Sequence, residues 1–251
     1  CSTLSSSSAA SEVYTRQANN FWPAFGNTLF FTLVTVLLET ILGIGMALVM
    51  AKDFHGRGLL RAAVLVPWAI PTAITAKLWA FLFSEQGIVN SSFHAHGAWQ
   101  TDPWAARFSI ILADVWKTTP FMALLILAGL QMIPKDLYEA ARMDGANAWQ
   151  RFTRITLPLA KNSIIVAVLF RMLDALRMYD LPYIMVGSNP DSPTATLSQL
   201  VVAAIRQDHV NAASALSTLI FLLIFLIALC FVKSLGSKVA HQAEPVVAEE
   251  E

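Results

Sequence analysis

The stretch EAARMDGANAWQRFTRITLP, residues 139–158, lies between two long apolar segments. Its skeleton is Glu139-Ala140-Ala141, three residues, Gly145, nine residues, then Ile155-x-Leu157-Pro158. Glutamate and alanine are strong helix formers, so the opening triplet predicts a helical turn. Gly145, just after Asp144, can take backbone angles closed to other residues, which predicts a sharp turn or a close approach. Arg151, Arg154 and Lys161 make the stretch basic, the mark of a cytoplasmic face between membrane spans. A short, partly amphipathic helix held at that surface can lie in a groove on a partner and pass movement to the flanking spans.

Composition supplies the membrane. Hydrophobic residues make up 56% of the 251 and charged residues only 14%, where a soluble domain carries roughly 25% charged. The chain therefore reads as an all-α, polytopic membrane protein. Its formal net charge is zero, which gives no electrostatic case for nucleic acid. Cys1 and Cys230 are too few for a disulfide framework or a metal cluster.

A span needs about 20 mainly apolar residues, and five segments qualify: 25–51, 59–83, 107–133, 163–186 and 213–232. Lys52, Arg57 and Arg61 mark one connection; Lys135, Arg142, Arg151, Arg154 and Lys161 mark another; Lys233 and Lys238 mark the tail. The remaining connections are poor in Lys and Arg. By the positive-inside rule, both basic loops and the C-terminus are cytoplasmic, and an odd number of spans leaves the N-terminus outside. Residues 1–20 are polar, Ser-rich and expected to be irregular, and Cys1 before small polar residues also looks like the mature end of a lipoprotein. Residues 236–251 read as a solvated acidic tail.

The spacing in 139–158 resembles the EAA loop of the permease subunits of binding-protein-dependent ABC importers, and it is matched over too long a stretch for an ordinary basic loop. Asn27-Thr28, PWAIPTAITAKLWAFLFSEQGIVN with Gly87 and Asn90, and LFRMLDALRMYDLPYIMVGSNPDSPTATLS are similar to the sugar-importing branch, nearer its MalF-like than its MalG-like permeases. Asp208 followed by HVNAASALS departs from the family's Asp, Gly-Tyr pattern there.

The resemblance implies a type I importer transmembrane domain, MetI-like, over 21–235, with 134–161 as the coupling loop. It also implies six spans with both ends inside, hence a further helix upstream of Tyr14. Implied partners are a second permease, two copies of an ATPase carrying ATP and Mg²⁺, and an extracytoplasmic binding (lipo)protein. The setting is the bacterial inner membrane, and the solute a sugar, such as a disaccharide of trehalose or maltose type. Glu139, Ala140, Ala141, Asp144 and Gly145 would couple to the ATPase, Glu139 as polar anchor and Gly145 as the turn.

Charges inside spans are costly and need a reason. Glu39 lies mid-span; Lys77, Asp114 and Lys117 fall nearer the outer ends. Arg171, Asp174 and Arg177 are three apart, forming one helical stripe that can pair along itself. That stripe either locks helices together or lines a solute path. Tyr179, Trp116, Trp79 and Asn27 are the other path candidates, as aromatics and amides that suit a neutral sugar. Pro67 and Pro71 each remove a donor from a span, giving either a hinge or a static kink. Gly43 and Gly45 suggest close helix packing.

No phosphate loop, zincin pattern or nucleophile–base pair occurs, so no catalysis, cofactor or resident metal is expected on this chain. His94 and His96 offer at most weak metal binding. The competing reading is an ion- or proton-coupled secondary carrier that uses Glu39 and the Arg171–Asp174–Arg177 stripe as its relay.

Overall fold

The computed structural model describes residues 2–93, 99–189 and 191–240. Cys1, His94, His96 and the acidic tail from His241 onward lie outside the described residues.

Two long helices form the frame, α1 (Ser2–Ala51) and α5 (Pro103–Gln131), packed parallel, with Asn27 beside Arg107, Glu39 beside Thr118 and Gly43 beside Met122. The sequence of α1 explains the pairing. Ala24, Asn27, Thr28, Phe31, Thr32, Thr35, Val36, Glu39, Gly43, Ala47 and Met50 recur every three or four residues and are all buried, one stripe on a 3.6-residue helix. At Gly43 a side chain would press on Met122, so that glycine lets the helices close as expected. Gly45 faces open space and does not. Residues expected to be irregular at the start instead continue α1 back to Ser2.

The segment 59–83, expected as one bent span, is two helices. α2 (Arg57–Ala69) and α3 (Thr72–Leu82) meet at 86°. Pro71 supplies the break: it caps α3, and Ile70 before it is extended, as residues preceding proline tend to be. The pair nevertheless travels along α5. Leu60 and Val64 pack with Met122 and Ile126, Trp68 stacks on Phe121 at 5.6 Å, and Trp79 meets Trp116 at 5.8 Å. Farther on, Phe83 reaches Trp99, which in turn touches Phe108. This run of contacts favours a broken span over a re-entrant loop. The turn after it needs Gly87, because a side chain there would strike the Phe81 and Leu82 carbonyls. It leads into α4 (Ile88–Phe93), where Asn90 donates to the Ser84 carbonyl and accepts from Trp99 Nε1.

After α5 come α6 (Lys135–Met143), α7 (Ala148–Arg151) and a π-helical turn, Phe152–Thr156, that runs directly into α8 (Leu157–Ala175). The π bond from Leu157 N–H to the Phe152 carbonyl comes just before Pro158, which has no N–H to give. The fourth span is therefore 148–175, not 163–186. It starts inside the EAA-like stretch and stops before the polar run Arg177, Tyr179, Asp180. α9 (Asp180–Met185), α10 (Leu197–Arg206) and α11 (Val210–Ala240) complete the chain. Among the described residues, four helices are long and apolar enough to cross a membrane, or five if the bent pair is one span.

Candidate functional site

Two places concentrate the polar chemistry, one in the middle of the bundle and one at its basic end.

In the middle, Arg171 of α8 is 2% exposed and holds three carboxylates. Its Nε donates to Glu39 Oε2 at 2.5 Å, a second guanidinium nitrogen meets Asp114, and the third meets Asp174 Oδ2 at 3.2 Å. Thr118 Oγ1 donates to Glu39 Oε1 at 2.5 Å. The planar fork of arginine serves α1, α5 and α8 at once. The sequence placed Asp114 towards the outer end of its span. In the structure it is buried opposite Arg171, because eleven residues of α5 precede it and carry it inward. Locking was one of the two readings of the stripe; that Arg171 pairs with Glu39 of α1 and Asp114 of α5 was not foreseen, its only signal being that three spans each carry a charge.

Beside the lock lies a cavity of about 120 Å³. Thr72 at the broken span, Lys117 and Thr118 from α5, and Asp174, Arg177 and Tyr179 from the end of α8 line it. The expected stripe is thus divided. α8 ends at Ala175, so Arg177 lies off the helix, 3.9 Å from Asp174, and both are well exposed. Arg171 locks; Asp174, Arg177 and Tyr179 face the cavity. Tyr179 also stacks on Tyr183 at 5.0 Å, and Arg206 covers the Tyr183 ring and donates to its hydroxyl at 2.6 Å. Trp79 and Trp116 pack edge to face away from the residues lining this cavity. Asn27 is elsewhere too. Its amide donates to the Ala195 carbonyl at 3.0 Å and accepts from Arg107, while Thr28 accepts from Leu197 N–H, tying α1 to the start of α10. Pro71 adjoins the cavity through Thr72, and Pro67 lies inside α2.

At the basic end, α6 is exposed along its length, with no buried residue. Its C-terminus closes on Gly145: Ala146 N–H bonds the Ala141 carbonyl at 2.9 Å and Gly145 N–H the Arg142 carbonyl at 3.0 Å. That pair of bonds is a Schellman motif. Gly145 has φ +74 and open space around it, so it serves the turn rather than a close approach. Asn147 and Gln150 then form a capping box that starts α7. Tyr138 and Thr156 hydroxyls, 3.0 Å apart, tie α6 back to α8. Glu139, Ala140 and Asp144 are exposed, and so are the apolar Met143 (88%) and Trp149 (70%).

Residues 39–241 match the family described as binding-protein-dependent transport system inner membrane component. This chain belongs to that family. It is 44% identical over 221 residues to the trehalose/maltose transport system permease protein MalF of Thermococcus litoralis, covering 86% of this chain and 75% of that one. It is 39% identical over 219 residues to the trehalose transport system permease protein SugA of Mycobacterium tuberculosis, covering 86% and 71%. Among solved structures, a bacterial ABC transporter that imports the acidic polysaccharide alginate matches with TM-score 0.77 at 25% identity, over 86% of this chain and 78% of that one. The MetNI methionine transporter shares the fold, with TM-score 0.64 at 20% identity, over 85% of this chain and 94% of that one. The fold is the MetI-like membrane domain of a type I ABC importer, and the permease is a multi-pass membrane protein.

Proposed function

We propose that this permease moves a neutral sugar, a disaccharide of trehalose or maltose type, into the cytoplasm by ATP-driven alternating access. The observation that carries the coupling half is α6: a C-capped, largely exposed helix at the basic end, tied to the π turn through Tyr138 and Thr156 and to Asp53 through Lys135, with Met143 bare beside it. Such a helix is shaped to enter a groove on another subunit. In this reading the subunit is an ATPase, present in two copies and carrying ATP and Mg²⁺; this chain binds neither. Glu139 anchors the helix, Ala140 and Ala141 give it a flat face, and Asp144 and Gly145 set its end. Closure of the ATPases pushes α6, the push enters α8 directly through α7 and the π turn, and α8 carries the cavity residues.

The solute half rests on the named substrates of the similar permeases and on the cavity's chemistry. Asp174, Arg177, Thr118 and Tyr179 offer donors, acceptors and a ring face, the set that holds sugar hydroxyls. A second permease completes the path, and an extracytoplasmic binding protein delivers the sugar at the Tyr179 end. An ion-coupled carrier finds less support, since Glu39 and Asp114 are already engaged by Arg171 and Thr118.

The test is co-purification with the neighbouring gene products, then ATPase assay with loaded binding protein. We expect a stable complex whose hydrolysis rises with trehalose or maltose. Gly145→Asp should keep the subunit inserted while uptake falls at least tenfold, because only glycine takes the positive φ without strain. Normal uptake by that variant would sink the coupling assignment.

A further inference from the structure

We infer that the basic end of this permease carries a binding site for the headgroup of an anionic phospholipid. The site is a cleft of about 830 Å³ between the ends of α1 and α5, the start of α2, one side of α6 and Thr156 of the π turn. Its lining holds five cations, Lys52, Arg57, Arg61, Lys135 and Arg142, against two carboxylates, Asp53 and Glu139. Asp53 takes up two of them, Arg57 and Lys135. Among the described residues, Lys52, Arg61 and Arg142 have no carboxylate within ion-pair reach. Arg61 is the most telling. One of its nitrogens donates to the Met50 carbonyl at 2.8 Å, whereas its Nε is buried and donates to no protein atom. A buried donor left open costs free energy unless something accepts from it.

Part of the lining is different in kind. Leu48 and Ala51 from α1, Leu130 at the end of α5, and Ile133 just beyond it also line the cleft. Ala51 and Gln131 are the last residues of α1 and α5, so the cleft sits where two spans leave the bilayer. Cations beside apolar side chains at that depth match one occupant well: a phosphodiester for the arginines, and the first carbons of an acyl chain for the leucines. Basic pockets of this kind between spans hold anionic headgroups. A soluble phosphate would leave the apolar lining wet, and a neutral sugar would leave the cations unused. The inference does not depend on which solute is carried.

The assembled transporter, solubilised in mild detergent, is titrated with phosphatidylglycerol and with phosphatidylcholine, and bound lipid is counted by native mass spectrometry. Phosphatidylglycerol should be retained preferentially, with about fivefold weaker binding for each of the three free cations removed. Lys52→Gln, Arg61→Gln and Arg142→Gln together should abolish the preference; Lys52→Arg should keep it. Equal retention of the two lipids by the wild type overturns the site, even where the triple variant fails to fold. Full displacement by an equal concentration of glycerol 3-phosphate overturns the lipid as occupant. A triple variant that sheds the ATPase while keeping its phosphatidylglycerol shows that the cations serve a protein contact, which also overturns it. Loss of phosphatidylglycerol with the ATPase still attached sustains the lipid site whatever becomes of the coupling reading.

Discussion

Arg171 is the residue on which most of the interior depends. With one guanidinium it pairs with carboxyl groups from α1 and α5, at positions 132 and 57 residues away in the chain. Removing one partner of a buried ion pair costs about 3–5 kcal/mol, because the other charge stays buried and uncompensated. Arg171→Met should therefore give little folded subunit, read as loss of the monodisperse peak in detergent. Adding Glu39→Gln and Asp114→Asn to that chain should recover most of it, since no buried charge is left. Asp174→Asn should behave otherwise. Its side chain is 64% exposed, so the change should move stability by no more than about 0.5 kcal/mol, while uptake falls. A melting midpoint as low for Asp174→Asn as for Arg171→Met would overturn the division between lock and cavity.

At the scale of elements, the break between α2 and α3 invites the clearest test. Pro71→Ala returns an N–H and lets helix continue across Ile70. We expect the variant to fold, because Leu60, Val64 and Trp79 keep their packing, and to lose uptake several-fold as the bend stiffens. Undiminished uptake would leave Pro71 a static kink. A second device at this scale is Asp53, which joins α2 to α6. The Lys135 hydrogen bond and charge, then the Arg57 charge, hold its carboxyl below the usual carboxylate range. A depressed folded-state pKa means the tie is fully present above the ordinary value of about 4 and is lost as pH falls through the lowered one. The gap in melting midpoint between wild type and Asp53→Asn should thus be open at neutral pH and close in acid. A gap that widened on acidification would contradict the assignment.

These elements also show what sequence could and could not deliver. Hydropathy is local, so the five apolar segments and the turn at Gly145 were legible. The stop at Ala175 was not, since Leu176, Met178 and Leu181 stay apolar and the chain turns because Thr196 bonds the Met178 carbonyl from a distant segment. Proline announced a bend at 71, but the angle depends on what α3 packs against. The lock at Arg171 is long-range pairing, which no periodicity records.

For the whole molecule, the open physical question is how far the bent pair reaches. Helices of 13 and 11 residues are about 20 and 16 Å long; set at 86°, their ends are about 25 Å apart, against a hydrocarbon core of about 30 Å. The shortfall is small enough to be met by the flanking turn or by local thinning of the bilayer. The contacts with α5, which advance from Phe121 to Phe108, argue that the pair crosses. Crossing fixes the topology of everything after it. With Cys1 and Cys230 replaced by Ser, single cysteines at Phe54 and Lys233 should react with an impermeant maleimide only from the cytoplasmic side. Those at Glu85 and Ser188 should react only from outside. If Glu85 and Phe54 were labelled from the same side, α2 and α3 would be a re-entrant pair. The molecule would then cross four times, and the basic loop at Arg57 would have to lie on the side opposite both Arg142 and Lys233, against the positive-inside bias that orients the rest.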